Sequence, residues 1–253
     1  MSQTYSDVDS SGDPVGAAVW QERMATWPAV AAYKRRAVDL LSKVEPVLDV
    51  GCGPGGDLVA VGRERSIGID TSQVMCSRAA ARGAVVARGE ADALPFRAAS
   101  FAGARADRVF QHLAHPDEAL QELLRVLKPG GRVVIVDPDQ ETLVIHVPGV
   151  RQRVLDRLRA LRRDLGYRNG RLIARLPELL AENGAGDITV DAYPLVLRDP
   201  ADAFGLPNWP RTWQVEGSFT DDELAEWDRA LRTGNAGFLY SLTFLVVSGH
   251  NRR

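Results

Sequence analysis

Apolar residues in this chain fall into two alternating patterns between residues 46 and 138. Val47–Val50, Ser66–Asp70, Ala84–Arg88, Phe101–Ala106 and Arg132–Asp137 are short runs that predict buried strands. Between them, Asp57–Arg63, the stretch from Ser72 to Arg82, and Pro116–Leu127 carry helical spacing. Ser72 supplies an N-cap and Gly83 a stop. Such alternation predicts right-handed βαβ units and a parallel sheet covered on both faces. Ahead of it, Trp20–Lys43 reads as one helix on Val30, Tyr33, Ala37, Leu40 and Leu41. After Asp139 the pattern loosens. Gly149–Leu165 and Leu172–Asn183 read as helices and Gly186–Leu197 as a strand. Asp199–Glu216 reads as a loop, Asp221–Leu231 as a helix capped by Thr220, and Phe238–Ser248 as a closing strand.

Length and composition narrow the picture. At 253 residues the chain fits one large domain. Residues 1–16 are polar and lack an apolar leader core, so they are expected to be a flexible tail, with 17–253 as a single domain. A net charge of −2 gives no general attraction to nucleic acid or anionic lipid. No apolar run approaches the roughly 20 residues that span a bilayer. Cys52 and Cys76 are too few for a disulfide framework or a metal cluster, so a cytoplasmic protein without bound metal, monomeric or homodimeric, is expected. Arginines are dense from Arg151 to Arg175. They read as a solvated helix face, the other reading being a surface for an anionic substrate or partner.

The chemistry concentrates at Val47-Leu48-Asp49-Val50-Gly51-Cys52-Gly53-Pro54-Gly55-Gly56. Gly51, Gly53 and Gly56 match G-x-G-x-x-G, and Asp70 lies where a ribose-binding acid would follow. Alone, this fits several adenosine ligands. Asp49 would repel a pyrophosphate and suits a ligand with a cationic amine and no phosphate. Asp92, after the third strand in Glu90-Ala91-Asp92-Ala93-Leu94-Pro95-Phe96, is spaced to accept a hydrogen bond from an adenine amino group.

Asp49-Val50-Gly51-Cys52-Gly53-Pro54-Gly55, Gly68-Ile69-Asp70-Thr71-Ser72, Asp92-Ala93-Leu94-Pro95-Phe96 and Leu127-Lys128-Pro129-Gly130-Gly131 together resemble the class I S-adenosylmethionine-dependent methyltransferases. The likeness is to the menaquinone-biosynthesis-like branch that includes natural-product enzymes. It covers roughly residues 30 to 138, and departs at Ser100-Phe101-Ala102, where the family commonly has Ser-Phe-Asp. The resemblance implies an α/β, Rossmann-like doubly wound fold: a mostly parallel seven-stranded sheet, helices on both faces and an antiparallel last strand. Residues 46–138 would bind the cofactor, and 139–235 would face the substrate and form lid elements. In the cofactor-binding turn, Gly51 and Gly53 would let the backbone pass close to the methionine part, Asp49 would orient the loop or reach the amine through water, and Cys52 would fill the inside of the turn rather than act as a nucleophile. Asp70 would accept the ribose hydroxyls and Thr71 would touch the adenine edge. Ala91, Asp92 and Ala93 would hold the adenine. Ala106 and Arg108 would pass near the sulfonium and the methionine carboxylate.

The implied reaction moves a methyl group from S-adenosylmethionine to an O, N or C atom of a small molecule, leaving S-adenosylhomocysteine. A base matters only if the acceptor arrives protonated. His112, just after the fourth strand, and His146, on the expected lid, are the candidates, while His115 reads as a helix-start residue. Tyr33 and Lys34 either pack or close over the cofactor. Tyr167, Tyr193, Trp209 and Trp213 either line an apolar acceptor pocket or anchor the core. Two other readings share the glycines. An NAD(P)-dependent oxidoreductase is disfavoured by Asp49, by the Asp92 loop and by the lack of a following Tyr-x-x-x-Lys. A pericyclase-like or scaffold protein that keeps the cofactor fold without transferring methyl stays open.

Overall fold

The computed structural model describes residues 8–10, 12–213, 218–232 and 236–253. Its strands are β1 (Val47–Val50), β2 (Ser66–Asp70), β3 (Val85–Arg88), β4 (Phe101–Asp107), β5 (Leu127–His146), β6 (Ala185–Leu197) and β7 (Leu239–Asn251). They form one seven-stranded sheet in the order β3-β2-β1-β4-β5-β7-β6. Strands β1 to β5 pair in parallel, and β7 runs antiparallel to both β5 and β6. The expected antiparallel last strand is therefore interior, which fits its apolar character on both faces. The strand order reverses around β1 and β4, and ligands of such sheets bind beyond the carboxyl ends of the strands at that point.

The helices are α1 (Pro14–Ala25), α2 (Pro28–Leu40), α3 (Gly56–Val61), α4 (Gln73–Ala81), α5 (Pro116–Val126), α6 (Gln152–Leu165), α7 (Leu176–Glu182), α8 (Trp209–Thr212) and α9 (Asp221–Arg232). One sheet face is covered by α2, α6 and α9, through Tyr33, Leu158 and Trp227. The other is covered by α5 and α7, through Leu120, Leu123, Leu176 and Leu180. On α5 the buried residues Ala119, Leu120, Leu123, Leu124 and Val126 form the single apolar stripe that its sequence spacing predicts.

Three elements differ from the sequence expectation. The single helix over Trp20–Lys43 is two helices, because Pro28 brings no N–H and holds Trp27 in the extended region, at ψ 137°. The turn at Lys128–Gly131 is absorbed as an irregularity within β5, with Gly130 left-handed at φ 76°, and β5 runs on past Asp137 through a second register shift. The segment expected to be a tail through Gly16 is docked where it is described. Val8 is buried against Ala17, Ala18 and Met75, and α1 starts at Pro14. Asp9 caps α4, accepting from Ser72 Oγ at 2.5 Å and from Gln73 N at 2.7 Å.

Candidate active site

The site grows from the carboxyl end of β1. Gly51, Gly53 and Gly55 all have left-handed φ, of 66°, 55° and 81°. The turn folds back so that Gly51 N and Cys52 N both donate to Ile69 O. A side chain at Gly51 is excluded twice, by φ and because its Cβ would lie 2.3 Å from Val109 Cγ2. Asp70, at the end of β2, ties this turn to the next helix. Its Oδ2 accepts from Gly53 N at 2.8 Å and its Oδ1 from Ser72 N at 2.9 Å. Burial pushes the Asp70 carboxyl up, and backbone donors at Ser72, Gly53 and Thr71 oppose that shift.

A cavity of about 1010 Å³ opens above this turn. Its wall includes Gly51, Gly53, Asp70, Thr71, Glu90 to Asp92 and Asp107 to Val109. It also includes aromatic residues from several distant segments: Trp20, Tyr167, Phe204, Trp209, Trp213 and Phe244. Trp209 and Trp213 lie 4.8 Å apart between ring centroids. The volume sits at the top of the range for a single drug-sized ligand, so a cofactor and a second small molecule fit together.

Of the residues singled out from sequence, the fold brings Gly51, Gly53, Asp70, Thr71, Ala91, Asp92, Arg108 and His112 to this cavity. Five others lie elsewhere. Asp49 alternates to the α2 side of β1, is 2% exposed, and sits 3.4 Å from Arg105 Nη1. It braces the turn from beneath and does not reach the ligand space. The Cys52 side chain fills the gap behind the turn, where a Cβ on Gly68 would come within 2.7 Å of its Sγ. Burial pushes that thiol up, away from a nucleophilic thiolate. Ala106 is fully buried in the sheet among Leu48 and Ile135, and Ala93 points to solvent. His146 is exposed at the end of β5, opposite Leu239, and lines no part of the cavity.

His112 is half-buried beside Tyr167, with ring centroids 5.5 Å apart. Burial first, then the charges of Arg108 and Arg168, push its pKa down to about 3. Arg108 holds a left-handed φ of 60°, unusual for a residue with a side chain. It is pinned by its N–H donating to Val136 O at 2.6 Å, with its Nε 3.5 Å from Asp107 Oδ1. Tyr33 and Lys34 are structural here. Tyr33 is fully buried and stacks on Phe244, while Lys34 bridges Asp57 at 2.5 Å and Asp107 at 2.6 Å.

Sequence reasoning missed Asp107, Gln111 and Arg162, all on the cavity wall, as well as Trp20 and Gln21 from α1. For Arg162 a signal existed: Leu155, Leu158 and Arg162 share one helix face by spacing, and the first two are core residues. Trp20 gave no signal, because nothing local says that α1 folds over the glycine turn.

Comparison with known proteins agrees with this geometry. Residues 48–135 match the model of the family described as "Methyltransferase domain". An uncharacterized protein of transposon TN4556 from Streptomyces fradiae is 38% identical over 193 residues, covering 70% of this chain and 54% of that protein. The demethylmenaquinone methyltransferase of Thermus thermophilus is 37% identical over 128 residues, covering 46% of this chain and 58% of that enzyme. This chain thus spans little more than half the length of these relatives. The YcgJ protein from Bacillus subtilis shares the fold, with a TM-score of 0.58 at 18% identity over 87% of this chain and 99% of that one. The segment that matches the methyltransferase domain model is the one that builds the glycine turn, Asp70 at the end of β2 and the Glu90–Asp92 loop. Among the described residues no helix is long and apolar enough to cross a membrane. No group of three or more His, Cys, Asp or Glu residues among them is placed to hold a metal ion.

Proposed function

We propose that this chain transfers the methyl group of S-adenosylmethionine to a small, flat acceptor held against the aromatic residues of the cavity. The observation that carries this reading is Asp70. Its carboxylate accepts from Gly53 N and Ser72 N and lines a cavity whose wall also carries Tyr167, Trp209 and Trp213. The residues present fit the cofactor. Asp70 would receive the ribose hydroxyls and Thr71 would lie beside it. Asp92 and the Ala91 backbone would meet the adenine, and Gly51 and Gly53 would let the methionine part approach. Arg108, beside Asp107, would face its carboxylate. Acids on this wall, Asp70, Glu90, Asp92 and Asp107, suit a ligand without phosphate.

When bound, the cofactor supplies an electrophilic methyl group on a sulfonium, so the protein's task is placement and exclusion of water. The aromatic walls and the α1 cover do both. His112 stays uncharged and weakly basic, which makes it a positioning contact for the acceptor. The planar walls favour quinone-like or polyketide-like aromatic acceptors of secondary or quinone metabolism, in keeping with the Thermus relative, a demethylmenaquinone methyltransferase. Calorimetry with S-adenosylhomocysteine tests the reading. The wild type should bind it, and Asp70→Ala should weaken binding by about 1–3 kcal/mol, because two hydroxyls lose a charged acceptor. Binding of NAD without any binding of S-adenosylhomocysteine would refute it.

A further inference from the structure

Arg162 is 2% exposed, yet it lines the cavity. Its guanidinium carbon lies 4.3 Å from the ring centroid of Trp209, 5.1 Å from Tyr167, 5.6 Å from Phe204 and 5.9 Å from Tyr240. Its Nε donates to Gln140 Oε1 at 3.1 Å, and its Nη2 donates to Tyr167 OH at 3.0 Å. Both partners are neutral. Among the described residues no carboxylate is ion-paired with it, and its Nη1 has no hydrogen-bond partner.

The rest of the molecule shows how unusual that is. Arg105, equally buried, is held by Asp49, Asp57 and Asp107. On α6 itself, Arg153 and Arg157 meet Glu223, Arg159 meets Asp156, and Arg163 meets Glu141 and Asp164. Among the described residues, Arg162 alone of the arginines of that helix is buried without an ion-paired carboxylate. A guanidinium cannot discharge by losing its proton, and ring faces offset only part of the loss of water around it. Of the N–H groups left over, one on Nη1 and one on Nη2 can serve as the end-on edge of the fork that grips a carboxylate with two parallel hydrogen bonds.

We propose that Arg162 is a specificity residue that binds the carboxylate of a planar, aromatic acceptor. This rests on the methyltransferase reading above and names the chemistry of the acceptor. A single guanidinium in an apolar chamber matches a monoanion. The rings around it stack against the flat body that carries the anion.

The test uses the full chain and pairs of flat probes: benzoate, 2-naphthoate and anthraquinone-2-carboxylate, each against its neutral amide. Calorimetry is run with and without saturating S-adenosylhomocysteine. At least one acid should bind tenfold or more tightly than its amide. Arg162→Gln should bring that acid down to the affinity of the amide while S-adenosylhomocysteine still binds, which shows that the variant is folded. Arg162→Lys should keep part of the preference, since it keeps the charge but loses the fork. The proposal is overturned if no acid outbinds its amide, or if Arg162→Gln leaves the preference intact. The acid-over-amide comparison in the wild type needs no variant. If S-adenosylhomocysteine fails to bind while the acid preference persists, the methyltransferase reading and the acceptor role fall together, and Arg162 is left as a carboxylate-binding residue of another site.

Discussion

Asp70 and His112 show how one side chain acquires a role from its surroundings. Asp70 is a strand-end acid whose two oxygens are fixed by two backbone donors, so it is oriented before any ligand arrives. His112 is the opposite case. Sequence position made it a candidate base, but burial and two nearby arginines hold its pKa at about 3. Such a group carries no proton between pH 5 and 8 and takes up none readily. The turnover rates of the wild type and of His112→Ala should therefore follow parallel pH profiles across that range, with the variant lowered by lost packing against Tyr167. A limb near pH 6.5 that vanishes in the variant would restore His112 as a base.

At the scale of elements, the N-terminal segment shows a local device with a long reach. Asp9 accepts from Ser72 Oγ, Gln73 N and Val74 N, so a residue far back in the chain satisfies the free N–H groups of α4. The hydrogen bond from Ser72 leads the effects that hold the Asp9 carboxyl below the usual carboxylate range. Replacing Asp9 by Ala should cost about 0.5–2 kcal/mol, the usual worth of a lost cap, and should speed amide exchange at Gln73 and Val74. Denaturant unfolding checks the first and hydrogen exchange the second. Unchanged stability would mean that the cap is replaced by water at no cost. Strand and helix positions from 46 to 138 were legible because periodicity is local. The break at Pro28 was missed although its signal is local, since a proline bars the residue before it from the helix. The continuation of β5 to His146 was not, because its pairing partner β7 lies about a hundred residues further along the chain.

At the scale of the whole molecule, the buried charges beneath the glycine turn govern how stability responds to pH. Asp49 has one oxygen without a partner, and its neighbour Arg105 is shared with Asp57 and Asp107. Burial therefore outweighs Arg105 and pushes the Asp49 carboxyl up to about 7. A carboxyl raised on folding stabilises fully below its unfolded value of 3.8, and that contribution is lost as pH rises through about 7. His112 works in the opposite sense. Its contribution is present above 6.5 and fades as pH falls toward 3, so the wild-type profile partly conceals both. Asp49→Asn removes one of the two. Relative to the wild type, its stability should improve by roughly 2–4 kcal/mol between pH 4 and pH 8. Thermal or denaturant unfolding of both proteins across that range reads the difference, and a flat difference would show Asp49 charged in the folded state throughout.

The sequence by itself determined the alternation of strands and helices, the glycine turn, and the acids at Asp70 and Asp92. Each of these is specified within a few residues by periodicity, by backbone freedom or by spacing from a strand end. The tertiary structure decided which side of the sheet each residue serves. Asp49 and Cys52 belong to the same short motif as Gly51 and Gly53, yet strand alternation and the packing behind the turn send them away from the cavity. It decided also that Tyr167, Phe204, Trp209 and Tyr240, scattered along the chain, would meet around Arg162. An acceptor chamber is made of contacts between distant segments, and no local pattern encodes those contacts.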